Sequence, residues 1–355
     1  MSRAVVFVAE TLRMAAPYAA CGLAAVVTER AGVVNVALEG VLIISGLGAT
    51  AGAVASGSAV VGLVTGLIAG AAFSALHGVL VVKGRVDAIV SGIALNVIAY
   101  GFARVLLRVL YDSASNSPKV PGFGLELASP IARVLVDPVV LLLAVTFGLV
   151  PVMLGRTRFG LHLRASGEGP DAARAAGVDV ARVRIVASTL AGAIAAIGGA
   201  HLVFDQRHFD AGMSGGRGFI ALAAVILGGW RPGPAALACL GFAALEATQI
   251  ALQDAVKIPP ELVQMLPYLA TLLVLALARR TRAPAGIGLP LQSAKFTSHL
   301  RRLPSSTAAD WHFPQVRVIE SLRALPSGLV PRTRRPPPFG HAHAFRRLRY
   351  QRGLR

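Results

Sequence analysis

Polar positions in this chain gather in short clusters between long apolar runs. Such runs occur near 33–56, 59–82, 87–111, 138–155, 185–204, 235–253 and 262–278. At about 1.5 Å per helical residue, each is long enough to cross a hydrocarbon layer of about 30 Å. A further run near 4–27 is interrupted by Glu10 and Arg13, and 219–230 is too short to span unless it extends backward through Gly215 and Gly216. Backbone polar groups in lipid must be satisfied within the protein, so these runs are expected as helices. A β-barrel would need alternating segments of about ten residues instead. The pattern therefore predicts an all-α fold, a polytopic transmembrane helical bundle of about eight spans.

The longest polar interruption between spans is 156–184, RTRFGLHLRASGEGPDAARAAGVDVARVR, with six arginines and three acids. The positive-inside rule places it in the cytoplasm. Alternation of spans then puts Lys83, Arg85, Arg279, Arg280 and Arg282 on the same side, together with Glu29, Arg30 and Gly32, and leaves 112–137 and the first ten residues outside. Within this loop, Glu168 to Gly177 carries acids at a helix start, Pro170 suited to the first turn and Gly177 suited to the stop. A short helix between two spans is expected there, rigid enough to serve a partner as a lever.

After Pro290 the composition changes to Arg, Pro, Ser and His. Residues 1–290 are read as the transmembrane domain, containing the cytoplasmic loop 156–184, and residues 291–355 as a disordered basic tail that cannot bury enough surface to offset its ordering entropy. Charge follows the same division. Residues 1–290 hold 22 Lys and Arg against 15 Asp and Glu, a balance of +7, whereas residues 291–355 hold 13 against 2, or +11. The formal charge of +18 is thus mostly a property of the tail. Nucleic acid is not an expected partner: a polybasic tail on the cytoplasmic face can meet anionic membrane lipid, and the plainer reading is that it has no role or is an out-of-frame translation.

Composition supports the membrane reading: 55% of residues are hydrophobic, 15% are charged, and the mean hydropathy is +0.65. Gly62, Gly66 and Gly70 repeat at a spacing that lets helix backbones approach, and a packing face is expected there. Cys21 and Cys239 lie in apolar stretches and read as buried free thiols. The N-terminus does not read as a cleavable signal and is expected to stay as the first membrane-associated segment.

Candidate chemistry is confined to polar residues inside apolar runs. Catalytic residues and a metal site are not expected: phosphate-loop, HExxH and GxSxG patterns are absent, and His77, His162, His201 and His208 share no ligand spacing. Asn35 and Glu39, four apart, share one helix face, as do Glu246 and Gln249, three apart, while Asn96 stands alone in its run. Burying a carboxylate in a bilayer costs about 2.5–3.5 kcal/mol on insertion scales, so these five are candidates for lining a solute path. A structural role, with Glu39 at a helix break beside Gly40 and Asn96 bridging two helices, is the competing reading.

The segments TLRMAAPYAACGLAAVVTERAGVVNVALEGVLII, VDAIVSGIALNVIAYG, LRASGEGPDAARAAGVDV and GRGFIALAAVILGGWRP, in that order, resemble bacterial ABC transporter permeases of the branched-chain amino acid and simple-sugar class. Among these the chain looks most like the shorter of the two permeases in nucleoside importers. The resemblance covers roughly residues 10–290 and rests chiefly on the ERAGVVN and GRGFIALAAVI blocks. It implies a multi-pass subunit of the bacterial plasma membrane with no cofactor of its own, ATP being bound by a cytoplasmic ABC ATPase. It also implies a second related permease forming a heterodimer, an extracytoplasmic solute-binding lipoprotein, and a coupling helix at Glu168, Gly169, Pro170, Asp171, Ala172, Ala173 and Gly177. Nucleosides are the implied solute, with ribose-like simple sugars as the alternative. An ion-gradient-driven transporter would usually show paired halves, and no internal repeat is evident. Residues from Leu291 onward depart from the family pattern.

Overall fold

The computed structural model describes residues 3–123, 129–255, 265–277 and 283–288. All of these belong to one compact unit, Met1–Gln292. The basic tail and the arginines at 279, 280 and 282 lie outside the described residues.

Twelve helices occur among the described residues: α1 (Arg3–Arg30), α2 (Leu38–Ser56), α3 (Ala59–Val82), α4 (Ala88–Tyr111), α5 (Pro130–Val136), α6 (Pro138–Arg156), α7 (Arg158–Glu168), α8 (Pro170–Ala175), α9 (Val180–Gln206), α10 (Arg217–Leu227), α11 (Pro232–Ala255) and α12 (Leu266–Leu277). Seven of them, α1 to α4, α6, α9 and α11, are long and apolar enough to cross a membrane. Caps fix several of the starts. Asp87 accepts from the amides of Ile89 and Val90, Asp137 from those of Val139 and Val140, and Asp179 from that of Arg182, which satisfies amides that an open helix end would leave bare.

The interrupted run at the N-terminus is one continuous helix, because its charges are paired. Arg13 donates to Glu10 at 2.5 Å and to Asp205 of α9 at 2.9 Å. The run expected over 33–56 is instead broken, with 31–37 non-helical and α2 starting at Leu38.

α9 sits at the centre, packed on α1, α2 and α3, and two thirds of its apolar window is buried. Small residues allow this approach. A Cβ at Gly192 of α9 would lie 2.5 Å from the Gly70 carbonyl oxygen of α3, and one at Gly70 would lie 2.6 Å from the Ala196 Cβ. Gly62 and Gly66 meet Ala49, Ala53 and Ser45 of α2 in the same way. Helices α4 and α6 turn apolar residues such as Ile93, Val97, Val105 and Val145 outward, as lipid-facing helices do.

Sidedness follows from contacts. The end of α1, the end of α7 and the start of α9 share one face: a Cβ at Gly167 would overlap the Arg30 carbonyl, and Arg184 donates to the Ser166 carbonyl at 3.2 Å. The end of α3 joins them, since Gly78 abuts Ser188. Lys83, Arg85 and the arginine-rich 156–184 stretch therefore lie at the same end, which the positive-inside rule marks as cytoplasmic. At the opposite end, 115–120 pairs with 207–211 through Val120 N to Arg207 O at 2.8 Å and Ser117 N to Phe209 O at 2.9 Å.

Replacing Gly192 with Val overpacks the α3–α9 contact and should destabilise the protein by about 1–3 kcal/mol. It is read as a lower melting temperature in detergent and a lower membrane level. Gly101→Val, at a position with open space around it, serves as the control and leaves both unchanged.

Candidate functional site

Two breaks in the helical framework meet at one buried carboxylate. The first runs from Gly32, whose φ of +91° ends α1, through a non-helical stretch and a turn to Leu38. Because this backbone lies beside Asn96, eight residues into α4 and so about 12 Å from that helix's start, its polar groups need partners from the protein. Asn96 bridges it, donating from Nδ2 to the Val36 carbonyl at 2.9 Å and accepting from the Gly40 amide at 2.8 Å. His77 lies 3.0 Å from the Val34 carbonyl and 3.1 Å from the Ser91 hydroxyl.

The second break descends from the outer face through 207–216 to α10. Phe209 on this stretch is fully buried, packed near Gly46 and Val203. Gly216 takes a left-handed conformation, φ +80°, and α10 then continues inward, toward Trp230 at the cytoplasmic end of α1. The N-terminus of α10 thus faces the N-terminus of α2.

Glu39, in the first turn of α2, joins them. Its carboxylate accepts from the amides of Gly216 and Gly218, each at 2.8 Å, and from the Tyr100 hydroxyl at 3.1 Å, while Tyr100 also contacts the Ser214 hydroxyl at 3.1 Å. Each helix N-terminus carries a partial positive charge of about half a unit, so one carboxylate between two of them is favourably placed. Glu39 is completely buried.

One residue further along, Arg217 forms an ion pair with Glu246 of α11 and donates to the Met213 carbonyl at 2.8 Å. Its guanidinium carbon lies 6.0 Å from the Tyr18 ring centroid, at the outer reach of a cation–π contact. Arg217 also lines a cavity of about 210 Å³. Arg13, His201, Asp205 and Gln206 give this cavity a polar wall near the outer face, and Met14 and Ile250 give it an apolar one.

The expected path residues therefore fall into two groups. Asn35, Glu39 and Asn96 are buried around the α1–α2 break; the Asn35 amide, completely buried, has no hydrogen-bond partner there among the described residues. Glu246 is paired to the arginine at the cavity, and Gln249 is half-buried next to its wall residue Ile250. Arg217, Tyr100 and the Arg13–Asp205 pair were not singled out by the sequence, although an arginine beside a glycine pair at the head of an apolar run is itself a signal.

On the cytoplasmic face, Glu168 closes α7, Gly169 caps α8, Pro170 takes its first position and Asp171 its first turn, where it pairs with Arg174 at 3.4 Å. Ala173 is buried, whereas Asp171 and Ala172 are exposed. Gly177, at φ +86°, reverses the chain toward α9.

Seven long apolar helices, broken helices meeting inside the bundle and charged residues at the break define a membrane transport protein. The chain belongs to the family described as branched-chain amino acid transport system/permease component, which it matches over residues 7–275. It is a multi-pass protein of the bacterial plasma membrane. It is 33% identical over 292 residues to the nucleoside ABC transporter permease protein NupC of Lactococcus lactis, covering 77% of this chain and 92% of that one. It is 31% identical to the guanosine ABC transporter permease protein NupQ of Bacillus subtilis, covering 82% and 97%. The ribose import permease protein RbsC of Escherichia coli is 30% identical over 178 residues, 48% of this chain and 53% of that one. No solved structure matches.

Replacing Glu39 with Ala leaves the Gly216 and Gly218 amides buried without an acceptor. Hydrogen bonds to a charged group are worth about 1.5–3 kcal/mol each, so the loss should largely remove the protein from the membrane. Glu39→Gln keeps an acceptor and should fall between, as measured by membrane level and detergent melting. Equal behaviour of Ala and wild type would rule out Glu39 as the junction.

Proposed function

We propose that this chain is the permease subunit of an ATP-binding-cassette importer for nucleosides. Two features support it: similarity over nearly the full length of two permeases named for nucleoside and guanosine transport, and an outer cavity with one polar and one apolar wall. A nucleoside presents ribose hydroxyls to groups such as Asp205 and Gln206 and a flat base to Met14 and Ile250. The Arg217–Glu246 pair forms the floor, with Gln249 beside it. Glu39 and Asn96 hold the wall of the path, and Asn35 contributes the amide left unpaired.

The remaining machinery is separate. A second related permease completes the path, an extracytoplasmic binding lipoprotein delivers solute, and a cytoplasmic ABC ATPase binds and hydrolyses ATP. The exposed side of Glu168 to Gly177 is the docking helix for that ATPase. Closure of the ATPase displaces α8, and the permease moves between two packings that differ by a few kcal/mol. The transport unit ends by about Pro290, and the basic tail takes no part in the cycle.

The deciding experiment is uptake of labelled uridine and adenosine, with excess ribose as competitor, in cells carrying or lacking this chain beside its ATPase and second permease. Deletion should abolish nucleoside uptake, ribose should not compete, and ATP depletion should stop transport. Competition by ribose would move the solute to simple sugars, in line with the ribose permease similarity. Transport that survives ATP depletion would remove the importer reading altogether.

Two further sets of variants test the division of the chain. Inserting two residues within 168–177, or replacing Gly177 with Val, should abolish uptake at normal membrane levels, because a side chain at φ +86° is strained and the helix loses its register. A chain ending at Pro290 should transport as well as the full chain. Unimpaired uptake in the insertion, or lost uptake in the truncation, would refute the corresponding assignment.

A further inference from the structure

The short segment Ala283–Gly288 crosses the cytoplasmic end of the bundle and is bonded there by its own backbone. The Gly286 amide donates to the Gly167 carbonyl at the end of α7 at 2.7 Å, and the Gly288 amide donates to the Gly32 carbonyl at the α1–α2 break at 3.1 Å. The Ala285 amide reaches the Glu168 carboxylate at 3.3 Å. Gly286 is buried, and a Cβ there would lie 2.7 Å from the Gly167 carbonyl oxygen and 3.1 Å from Cδ of Pro170, the first residue of α8. Close packing of backbone on backbone, with no side chain between, leaves little slack.

The same junction has two more struts. Arg184, almost completely buried, donates to the Ser166 carbonyl, and its guanidinium occupies the space under Gly32, where a Cβ would come within 2.6 Å of it. Arg30 donates to the Trp230 carbonyl at 2.7 Å, and Trp230 donates to the Glu29 carboxylate at 2.5 Å. Trp230 follows α10 by three residues, and the other end of α10 carries the amides that hold Glu39. The α7–α8 elbow, the α1–α2 break and α10 are therefore fastened to one point.

We propose that Ala283–Gly288 is the clasp that transmits displacement of α8 to the broken helices at Glu39, with Gly286 as its positioning residue. The clasp rests on the reading of α8 as the ATPase-docking helix. An ordinary loop at this place would absorb the push. Backbone hydrogen bonds on both sides of the junction oblige the α1–α2 break and the elbow to move together.

The test uses the complete transporter, both permeases with the ATPase and binding protein, in lipid vesicles, and reads uptake and ATP hydrolysis together. Gly286→Val separates the elbow from the segment. The complex should still assemble and hydrolyse ATP at its basal rate, while solute moved per ATP falls at least tenfold; Gly286→Ala should give a smaller fall in the same ratio. A merely structural defect would lower both rates in proportion, and that result, or an unchanged ratio, overturns the clasp. Hydrogen exchange on the unaltered complex tests it without a variant: the Gly286 and Gly288 amides should be protected both with and without ATP, and exchange at the rate of an open loop in both states also overturns it. Crosslinking from Asp171→Cys to the ATPase separates the two ideas. If the crosslink fails, the docking reading falls and the clasp with it; if it forms while Gly286→Val keeps the wild-type ratio, only the clasp falls.

Discussion

The structure depends on the bond between the Glu39 carboxylate and the two amides at the start of α10. Two helices that start inside the bundle leave bare amides where no water can satisfy them, and a carboxylate at that depth is itself costly. Each difficulty answers the other. Glu39 stands in the first turn of α2 and accepts from the first turn of α10, so both dipoles point at its charge. Asn96 and His77 then carry the non-helical backbone leading to α2. The break is built rather than frayed, since most of its exposed groups are matched by a named side chain.

Around this junction, packing relies on small residues more than on large ones. Lipid tails are as apolar as leucine, so helices gain stability in the membrane through close contact rather than through escape from water. Gly70, Gly192 and Gly199 let α9 reach α3 and α2 closely enough for backbone to touch backbone. The central helix is thereby held rigid, and its outer end supplies Asp205 and His201 to the cavity wall. The charged residues that line the outer cavity are tied to partners, Arg13 with Glu10 and Asp205, Arg217 with Glu246.

Hydropathy made most of the spans legible, along with the short helix at Pro170, whose proline, acid and following glycine are local signals. It could not resolve the run at 33–56, because it weighs side chains and not the backbone. Val33, Val34 and Val36 are apolar enough for a span, yet they lie on a non-helical stretch in which Asn96 takes the Val36 carbonyl and His77 the Val34 carbonyl. The run at 219–230 was visible as an apolar segment too short to cross, and α10, with eleven residues, is that segment. Glu39, Asn35 and Asn96 stood out as polar residues in apolar surroundings, but their partners are distant in sequence: Gly216 lies 177 positions from Glu39. Arg217 was visible in the glycine-rich block and gained meaning only once Glu246 was placed beside it.

The position of α10 ties the two ends of the molecule together. At about 1.5 Å per residue its eleven residues make a rod of about 16 Å. One end holds Glu39 and, through Arg217, the floor of the outer cavity; the other end is bound by Glu29 and Arg30 through Trp230. A helix this short bends little, because every residue of it is within two turns of an anchored end. Displacement at the cytoplasmic junction therefore has two outcomes: α10 moves as a body, or a bond at one end breaks. The weaker outcome is set by energy, since parting a buried carboxylate from two amides costs more than sliding apolar faces past one another. Movement of the rod as a body is the cheaper response, and it carries Arg217 and the cavity floor with it.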